Sequence, residues 1–596
     1  MSRLQIPGHH FPPLILGSLV VYLTCILTYP ETTQLPDPPR FLQASEPWPN
    51  GGESPQKGLL TPDHDGEAVG SASKGVAPAR PSEARSTDSK SKVLISGIPD
   101  WHLKGWSFVT IVLNVILALF VLDMVLRGPV FYPSNDLRFS RVGHVDTTSA
   151  KVLFREPDPA QLPVYAYIQK DGHAGWTIRD RIYSLGADTD YTYPISFTNL
   201  HPLSTYTYSL SNNLSGTFTT APAPRSPAVG KLSFLTSSCI KANFPYNPFS
   251  HALSIPGFTH LSNILRSLPA PPAFMLFLGD FIYVDVPLRL SSSTRHYRSE
   301  HRRVYASPSW SLPGLASLPW IHTLDDHEIA NDWSAGNATP PFPSARDPFL
   351  HYHVSVNPPT PPFTPLPPET TFFTFTRGPA SFFLLDTRAY RTAPNLPNST
   401  ILGSTQLNSL LKYLSTPEPS YVHWKIVASS VPFTKNWRVG ASDCWAGFLA
   451  ERRIVLDSMQ AAERRLGVRV VILSGDRHEF GAVHFPPNTT STDPSATASP
   501  PSGPHEFSVG PLSMFYLPFR TFKQVDGEDV PIKYIPEGNA KVGKVEIENL
   551  ERSGRQKSLL RYTLYVDGKP TWKYVLTSPA PEFKGRRGGI WDVLWG

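Results

Sequence analysis

Two uncharged apolar runs dominate the hydrophobic pattern near the start of the chain. Phe11 to Tyr29 contains 19 residues without Asp, Glu, Lys or Arg, enough for a bilayer-crossing helix of ~20 residues. Its start is only weakly basic (Arg3) and lacks a clear small-x-small cleavage site, so an uncleaved span over 11–29 is expected; a signal peptide shares the same pattern. Gly105 to Leu122 adds 18 uncharged residues and continues through Met124-Val125-Leu126. Trp101, Trp106, Phe131 and Tyr132 flank it as an interfacial aromatic belt would. The run has no polar face, which predicts a second span over 105–127 rather than a core helix. Asp123 is tolerated there because Arg127 lies four residues on and both can snorkel. Residues 30–100, rich in Pro, Ser, Gly and charge with few aromatics, are expected to form a disordered linker.

Beyond Arg138 the pattern changes to period two. Ala150-Lys151-Val152-Leu153-Phe154, Val164-Tyr165-Ala166-Tyr167-Ile168 and Tyr206-Thr207-Tyr208 alternate between breaks at Pro, Gly and Asn, which predicts a β-sandwich over 138–225. Its phrase Leu200 to Tyr208 resembles the fibronectin type III strand signature. It carries no visible catalytic group and reads as a spacer or lid. After the Ala221–Pro227 linker, short apolar strands alternate with helical stretches such as Phe258 to Leu268. This mixed pattern predicts an α/β domain over 230–580, interrupted by a low-complexity insertion at 488–504.

Composition narrows the function classes. The chain has 596 residues, 64 of them proline, and a net charge of +6. No Lys/Arg block interleaved with aromatics is present, so no nucleic-acid partner is inferred. The three cysteines, Cys25, Cys239 and Cys444, are too few for a disulfide-stapled scaffold. Sequons at Asn213, Asn337, Asn398 and Asn488 are compatible with a lumenal or extracellular C-terminal part, and basic residues on either side of the second run are nearly balanced. An integral membrane protein with that part lumenal or extracellular is the expectation.

Chemistry enters at the ends of the apolar strands. The run at Leu232 ends in Ser237-Ser238-Cys239; that at Phe274 ends in Gly279-Asp280-Phe281-Ile282-Tyr283. Trp320 to Leu324 leads into Asp325-Asp326-His327-Glu328, Phe382 to Leu385 into Asp386-Thr387-Arg388, and Val470 to Leu473 into Gly475-Asp476-Arg477-His478-Glu479. Continuous apolar runs suit strands buried on both faces, and in α/β sheets ligands gather beyond the carboxyl ends of such strands. Five remote segments can therefore share one pocket. Each has a bland alternative: Asp280 as a strand-end turn residue, Asp325 to Glu328 as an exposed helix start, His478 as a satisfied core histidine, Cys239 as a buried small hydrophobe, and Asp386–Arg388 as an ion pair beneath the pocket. Together they suit two metal ions that clamp the attacking and leaving oxygens of an in-line displacement at phosphorus.

These elements, in this order, resemble the alkaline phosphatase D family, also called PhoD-like metallophosphoesterases; Trp445-Ala446-Gly447-Phe448 is similar to a further family phrase. The resemblance implies a four-layer α/β/β/α sandwich preceded by a fibronectin III-like unit, phosphomonoesterase or phosphodiesterase activity, and a mixed Fe³⁺ and Ca²⁺ centre. Carried over, Cys239 and Tyr283 would bind iron and Asp280 would bridge. Asp326 or Asn331, with Asp476 and His478, would complete the shells. His327 would be the general acid, and Arg298 or Arg477 a phosphate clamp. Val284-Asp285-Val286-Pro287 follows Tyr283 where bacterial members tend to place an acidic residue at once, which puts an extra calcium ligand in doubt. Cys444 stands where serine is usual, and Cys239 and Cys444 are both expected as thiols. The expected partners are a phosphate-ester substrate and the membrane. The competing reading is a non-catalytic membrane-anchored interaction protein that keeps the fold.

Overall fold

A computed structural model describes residues 84–360, 370–487, 503–552 and 555–578. The expected span at 11–29, residues 30–83 of the expected linker and residues 488–502 of the insertion lie outside the described residues. The chain divides into two units, one over Phe11–Val121 and one from Leu122 onward.

In the first unit, α1 (Ala84–Ser96) corrects the expectation of disorder through residue 100. Its 13 residues contain neither Pro nor Gly, so nothing interrupts the helical ladder. Buried Val93 anchors it, its carbonyl accepting from the Thr110 hydroxyl (3.4 Å), while Asn114 Nδ2 donates to the Gly97 carbonyl (2.8 Å). Thr110 and Asn114 lie on α2 (Lys104–Phe131), the one helix among the described residues long and apolar enough to cross a membrane. Phe108, Leu113, Leu117 and Leu119 on it are exposed, which is not how a core helix behaves.

The second unit begins with seven strands: β1 (Phe139–Val145), β2 (Ala150–Arg155), β3 (Val164–Lys170), β4 (Thr177–Ile182), β5 (Thr192–Phe197), β6 (Thr205–Leu210) and β7 (Ser215–Thr219). They form two antiparallel sheets, ordered β1-β2-β5 and β4-β3-β6-β7. The apolar residue of each alternating pair, Val152, Phe154, Ile168, Phe197 and Tyr208 among them, lies in one shared core, as the period-two pattern requires.

The mixed region follows with β8 (Lys231–Ser237), α3 (Pro256–Ser267), β9 (Met275–Phe277), α4 (Thr294–Tyr305), β10 (Trp320–His322) and α5 (Phe342–Tyr352). Next come β11 (Phe373–Arg377), β12 (Ala380–Leu384), α6 (Gly403–Ser415), β13 (Trp424–Ser429), α7 (Leu449–Leu466), β14 (Arg469–Ser474), β15 (Phe480–His484), β16 (His505–Ser508) and β17 (Val530–Ile535). The region closes with β18 (Lys541–Arg552), β19 (Arg555–Val566) and β20 (Lys569–Ser578). One sheet runs β10-β9-β8-β18-β19-β20, the other β11-β12-β13-β14-β16-β15-β17.

Successive side chains leave a strand on opposite faces, and the two faces serve different cores. Phe234, Leu276, Ile426, Leu473 and Tyr562 meet between the sheets. On the outer face of the first sheet, Leu235, Met275 and Phe277 pack with Phe258 and Leu261 of α3, Tyr297 of α4 and Phe349 of α5. On the outer face of the second, Phe383, Val427 and Ile472 pack with Leu410 of α6 and Val455 of α7. The layers are helix, sheet, sheet, helix.

Strands β8, β9 and β10 are mutually parallel, as are β12, β13, β14 and β16. Parallel strands point their carboxyl ends the same way, so the segments after Ser237, Phe277, His322, Leu384, Ser429, Ser474 and Ser508 leave their sheets in register. The strand-end residues singled out in the sequence occupy these positions.

Candidate metal centre

The ladder between β8 and β9 continues past the strand ends: Leu278 N–H donates to Ser237 O (2.9 Å), Cys239 N–H to Gly279 O (3.1 Å) and Ile240 N–H to Asp280 O (2.8 Å). Cys239 and Asp280 are thereby held side by side. Both adopt left-handed backbone (φ +63° and +58°), as does Asp476 after β14 (φ +66°). That conformation costs an L-residue roughly 1–2 kcal/mol, less for Asp, and such strain clusters at sites where function demands a direction. The preceding glycines supply the room. A Cβ on Gly279 (φ +93°) would lie 2.4 Å from Asp325 Cβ, and one on Gly475 would lie 2.8 Å from Ser238 Cβ.

Converging donors follow from this backbone. Cys239 Sγ lies 3.3 Å from Asp280 Oδ2, and the Tyr283 hydroxyl donates to that same oxygen (2.8 Å) while lying 2.9 Å from His478 Nε2. Ligand atoms of Cys239, Asp280 and His478 fall within 4.8 Å of one another; so do those of Asp280, Asp325, Asp326 and Asp476, and those of Asp280, Asp326 and His327. Asp280 belongs to all three groups. The structure therefore brings together Cys239, Asp280, Tyr283, Asp326, His327, Asp476 and His478. Asn331 lies alongside, its backbone N–H donating to Asp285 Oδ2 (2.7 Å).

Arg298 is not among them. It sits on α4, paired with Asp347 (2.5 and 2.8 Å) and donating to the carbonyls of Ala187 and Asp188 in the β-sandwich. As a phosphate clamp it is corrected: its guanidinium ties the sandwich to the α/β domain. Arg477 is in place, with Nε 3.1 Å from Asp476 Oδ2 and Nη2 2.8 Å from Cys444 Sγ. The expected Asp386–Arg388 pair also needs correction. Asp386 instead accepts from the backbone N–H groups of Arg388 (2.9 Å) and Ala389 (2.8 Å), shaping its own turn. The Arg388 side chain reaches Asp325 (2.5 Å) and Asp443 (2.6 and 2.8 Å). Cys239 and Cys444 are both free thiols.

Several supporting groups escaped the sequence reading. Glu328 accepts from four backbone N–H groups: Asp280 (3.1 Å), Phe281, Ile282 (3.4 Å) and Asp325 (2.8 Å). It pins the two loops that present Asp280 and Asp325. Asp285 holds His327 Nδ1 at 2.7 Å, and Asp443 binds both Arg388 and Arg391 (2.7 Å). The signals were present but weak: Glu328 closes the Asp325 phrase, and Asp443 precedes Cys444-Trp445.

The site has too much negative charge for its surroundings. Asp280, Asp325, Asp326, Asp443 and Asp476 give five carboxylates against the three guanidiniums of Arg388, Arg391 and Arg477, an excess of two even with Glu328 set aside. Burial, reinforced by neighbouring carboxylates, drives Asp280 and Asp325 well above the usual carboxylate range and Asp476 up to about 6. Asp325 Oδ2, Asp326 Oδ1 and Asp476 Oδ2 are buried and receive no hydrogen bond, although buried polar atoms are almost always satisfied; Asp326 Oδ1 and Asp476 Oδ2 have only the ion-pair approach of Arg388 (3.6 Å) and Arg477 (3.1 Å). A cation would satisfy these oxygens and offset the excess charge. Thiolate, phenolate, imidazole and carboxylate donors together suit transition and hard cations; the residues present fit metal ions.

His327 has the opposite bias. Burial disfavours its charge, but Asp285, then Asp326 and Asp280, outweigh it and hold the ring well above the ordinary histidine range. His478 is pushed down to about 3, chiefly by burial and then by His327, so it is a neutral imidazole, as a metal ligand must be.

Comparison with known proteins gives one family-model match and relatives in sequence and fold. Residues 234–530 match the family model described as PhoD-like phosphatase. Alkaline phosphatase D of Bacillus subtilis (strain 168) is 26% identical over 362 residues, covering 53% of this chain and 58% of that protein; the chain thus matches little more than half of that relative's length. A solved structure titled "Structure of PhoD" superposes with a TM-score of 0.52 at 19% identity, covering 77% of this chain and 94% of that one. Purple acid phosphatase PPD1 from yellow lupin (Lupinus luteus) seeds gives 0.48 at 12% identity, over 74% of each chain.

Proposed function

We propose that this chain, whose residues 234–530 match the PhoD-like phosphatase family model, hydrolyses phosphate mono- or diesters at a two-metal centre. The observation that carries the reading is the convergence of the Asp280, Asp325, Asp326 and Asp476 carboxylates within 4.8 Å of one another, with buried oxygens of Asp325, Asp326 and Asp476 that receive no hydrogen bond. Cys239, Tyr283 and His478 would hold one ion, and a thiolate with a phenolate would favour Fe³⁺ there. Asp326 with Asp476, or Asn331 in place of Asp326, would hold the other, for which a hard cation such as Ca²⁺ is suited, and Asp280 could serve both. When bound, such a pair supplies a hydroxide near neutral pH and neutralises charge on the phosphoryl oxygens.

The chain's own groups perform the rest. His327, held protonated and fixed through Nδ1 by Asp285, presents its other nitrogen as proton donor to the leaving oxygen. Arg477, anchored by Cys444 and the Gly440 carbonyl, orients a phosphoryl oxygen. The four N–H groups on Glu328 fix the direction of Asp280, so the cluster needs little rearrangement.

The expected setting is a membrane. The exposed apolar surface of α2 supports a span, and exposed sequon residues Asn213, Asn337 and Asn398 support a lumenal or extracellular domain. The β1–β7 unit reads as fibronectin III-like: the Tyr206 hydroxyl accepts from the His201 N–H (2.8 Å), the kind of tyrosine-to-upstream-backbone bond found in such sandwiches. The test is hydrolysis of p-nitrophenyl phosphate and bis-p-nitrophenyl phosphate by the full chain and by Asp280→Asn. Asp280→Asn is expected to abolish turnover with the fold retained; unchanged turnover refutes the shared-ligand role.

A further inference from the structure

A cleft lies against the metal cluster, and one residue belongs to both. Tyr283 places its hydroxyl on Asp280 and His478 and also lines the cleft. Asp123, Met124, Val125, Gly128 and Pro129, in the last part of α2, form another part of its wall. That wall is fastened: Tyr246 donates to Asp123 Oδ2 (2.8 Å), and Arg127 donates to Asp123 (3.3 Å) and to the Pro248 carbonyl (2.6 Å). In sequence, Asp123 directly follows the final residue of the uncharged run Gly105–Leu122.

The cleft's chemistry is divided. Met124, Val125, Leu253, Val284, Val286 and Leu288 contribute apolar lining. The titratable side chains in the lining are Asp123, Lys241, His296, Glu300 and Arg303, and they largely answer one another. Glu300 pairs with Arg303 and has His296 Nδ1 at 3.9 Å, and Lys241 donates to the Tyr283 carbonyl (3.2 Å). What remains to recognise a ligand is hydrocarbon surface leading to Tyr283. A pocket that is mostly apolar, with its few polar groups at one end, selects an apolar body with a polar head.

We propose that the substrate is an amphiphilic phosphate ester, its phosphoryl group at the Asp280 cluster and its hydrocarbon group in the cleft between Tyr283 and the end of α2. This inference rests on the phosphoesterase reading and deepens it to a substrate class. The position of Asp123 at the end of the apolar run matches a substrate whose hydrocarbon part resides in a membrane and whose head lies at the interface. The apolar group leaves with the ester oxygen or stays on phosphorus; p-nitrophenyl diesters report the second case by releasing p-nitrophenolate, with water supplying the new oxygen on phosphorus.

The experiment uses the metal-loaded full chain and p-nitrophenyl esters of methyl, butyl and octyl phosphate, each below its micelle threshold. Each methylene taken into the cleft raises kcat/KM about fourfold, so roughly 50-fold is expected from methyl to octyl if about three methylenes are buried. Leu288 and Leu290, exposed at the cleft, can be changed without disturbing the core. Leu288→Glu with Leu290→Glu is expected to cut the chain-length gain to below about fivefold and to leave p-nitrophenyl phosphate turnover unchanged. Equal kcat/KM across the series overturns the amphiphile proposal while leaving the phosphoesterase intact, as does a chain-length gain that survives the double substitution. No turnover of any ester, with metal bound, overturns both.

Discussion

Glu328 is the most consequential side chain with no place in the metal centre, and its loss can be worked through. Its two oxygens receive four backbone N–H groups, Asp280 and Asp325 on one, Phe281 and Ile282 on the other, and the side chain is fully buried. Glu328→Gln keeps one oxygen and turns an amino group toward the other two donors. Two buried N–H groups then lack acceptors, at about 1–3 kcal/mol each, so the variant loses roughly 2–6 kcal/mol. Against a typical stability of about 5–15 kcal/mol for a folded domain, it still folds. Glu328→Ala strands all four donors and is expected to fall near or below the folding threshold. The two loops freed in Glu328→Gln present Asp280 and Asp325, so metal content and kcat fall together with stability. Urea denaturation of the full chain in parallel with metal analysis tests this. A Gln variant within about 0.5 kcal/mol of the parent, with metal and turnover retained, would refute the clamp.

Three further outcomes are expected. In Asp285→Asn the charge that most raises His327 is lost, so its folded pKa drops; a general acid must stay protonated, and the alkaline limb of kcat/KM shifts to lower pH, with an unmoved limb excluding His327 from that role. Metal binding requires deprotonated ligands, and Asp476 is raised to about 6 in the metal-free chain. Its folded form therefore retains a proton below that value, and the metal-induced gain in Tm should grow from pH 5 to pH 7.5 in differential scanning fluorimetry; a constant gain contradicts the coupling. Gly279→Ala meets Asp325 Cβ at 2.4 Å in a left-handed backbone, and should reduce metal content more than Gly467→Ala. Gly467 also has positive φ at the end of α7, but open space around its Cβ.

The sequence made the strand ends legible because a strand buried on both faces must be apolar throughout, and the first polar residue after it stands out. Asp280, Asp326, Asp476 and their neighbours were found that way. What stayed hidden depends on which segments meet. Arg388 follows Asp386 closely enough to suggest a local pair, but the turn consumes the Asp386 carboxylate and the guanidinium reaches Asp325 and Asp443 instead. Arg298 looked available because nothing in the sequence shows that Asp347, half a hundred residues on, faces it from α5. Glu328 is indistinguishable from a helix-start acid until four N–H groups are seen to point at it. Helix α1 was missed because its polar composition resembles the linker before it, while its ordering comes from contacts with α2.

The central claim is that the carboxylate cluster holds metal. Element-resolved mass spectrometry of the full chain, purified without added metal and compared with Asp280→Asn, tests it most directly. The account predicts two or more equivalents per chain, iron among them, with the variant losing at least one. A parent protein that carries no bound metal, yet hydrolyses phosphate esters unchanged in the presence of chelator, would contradict it.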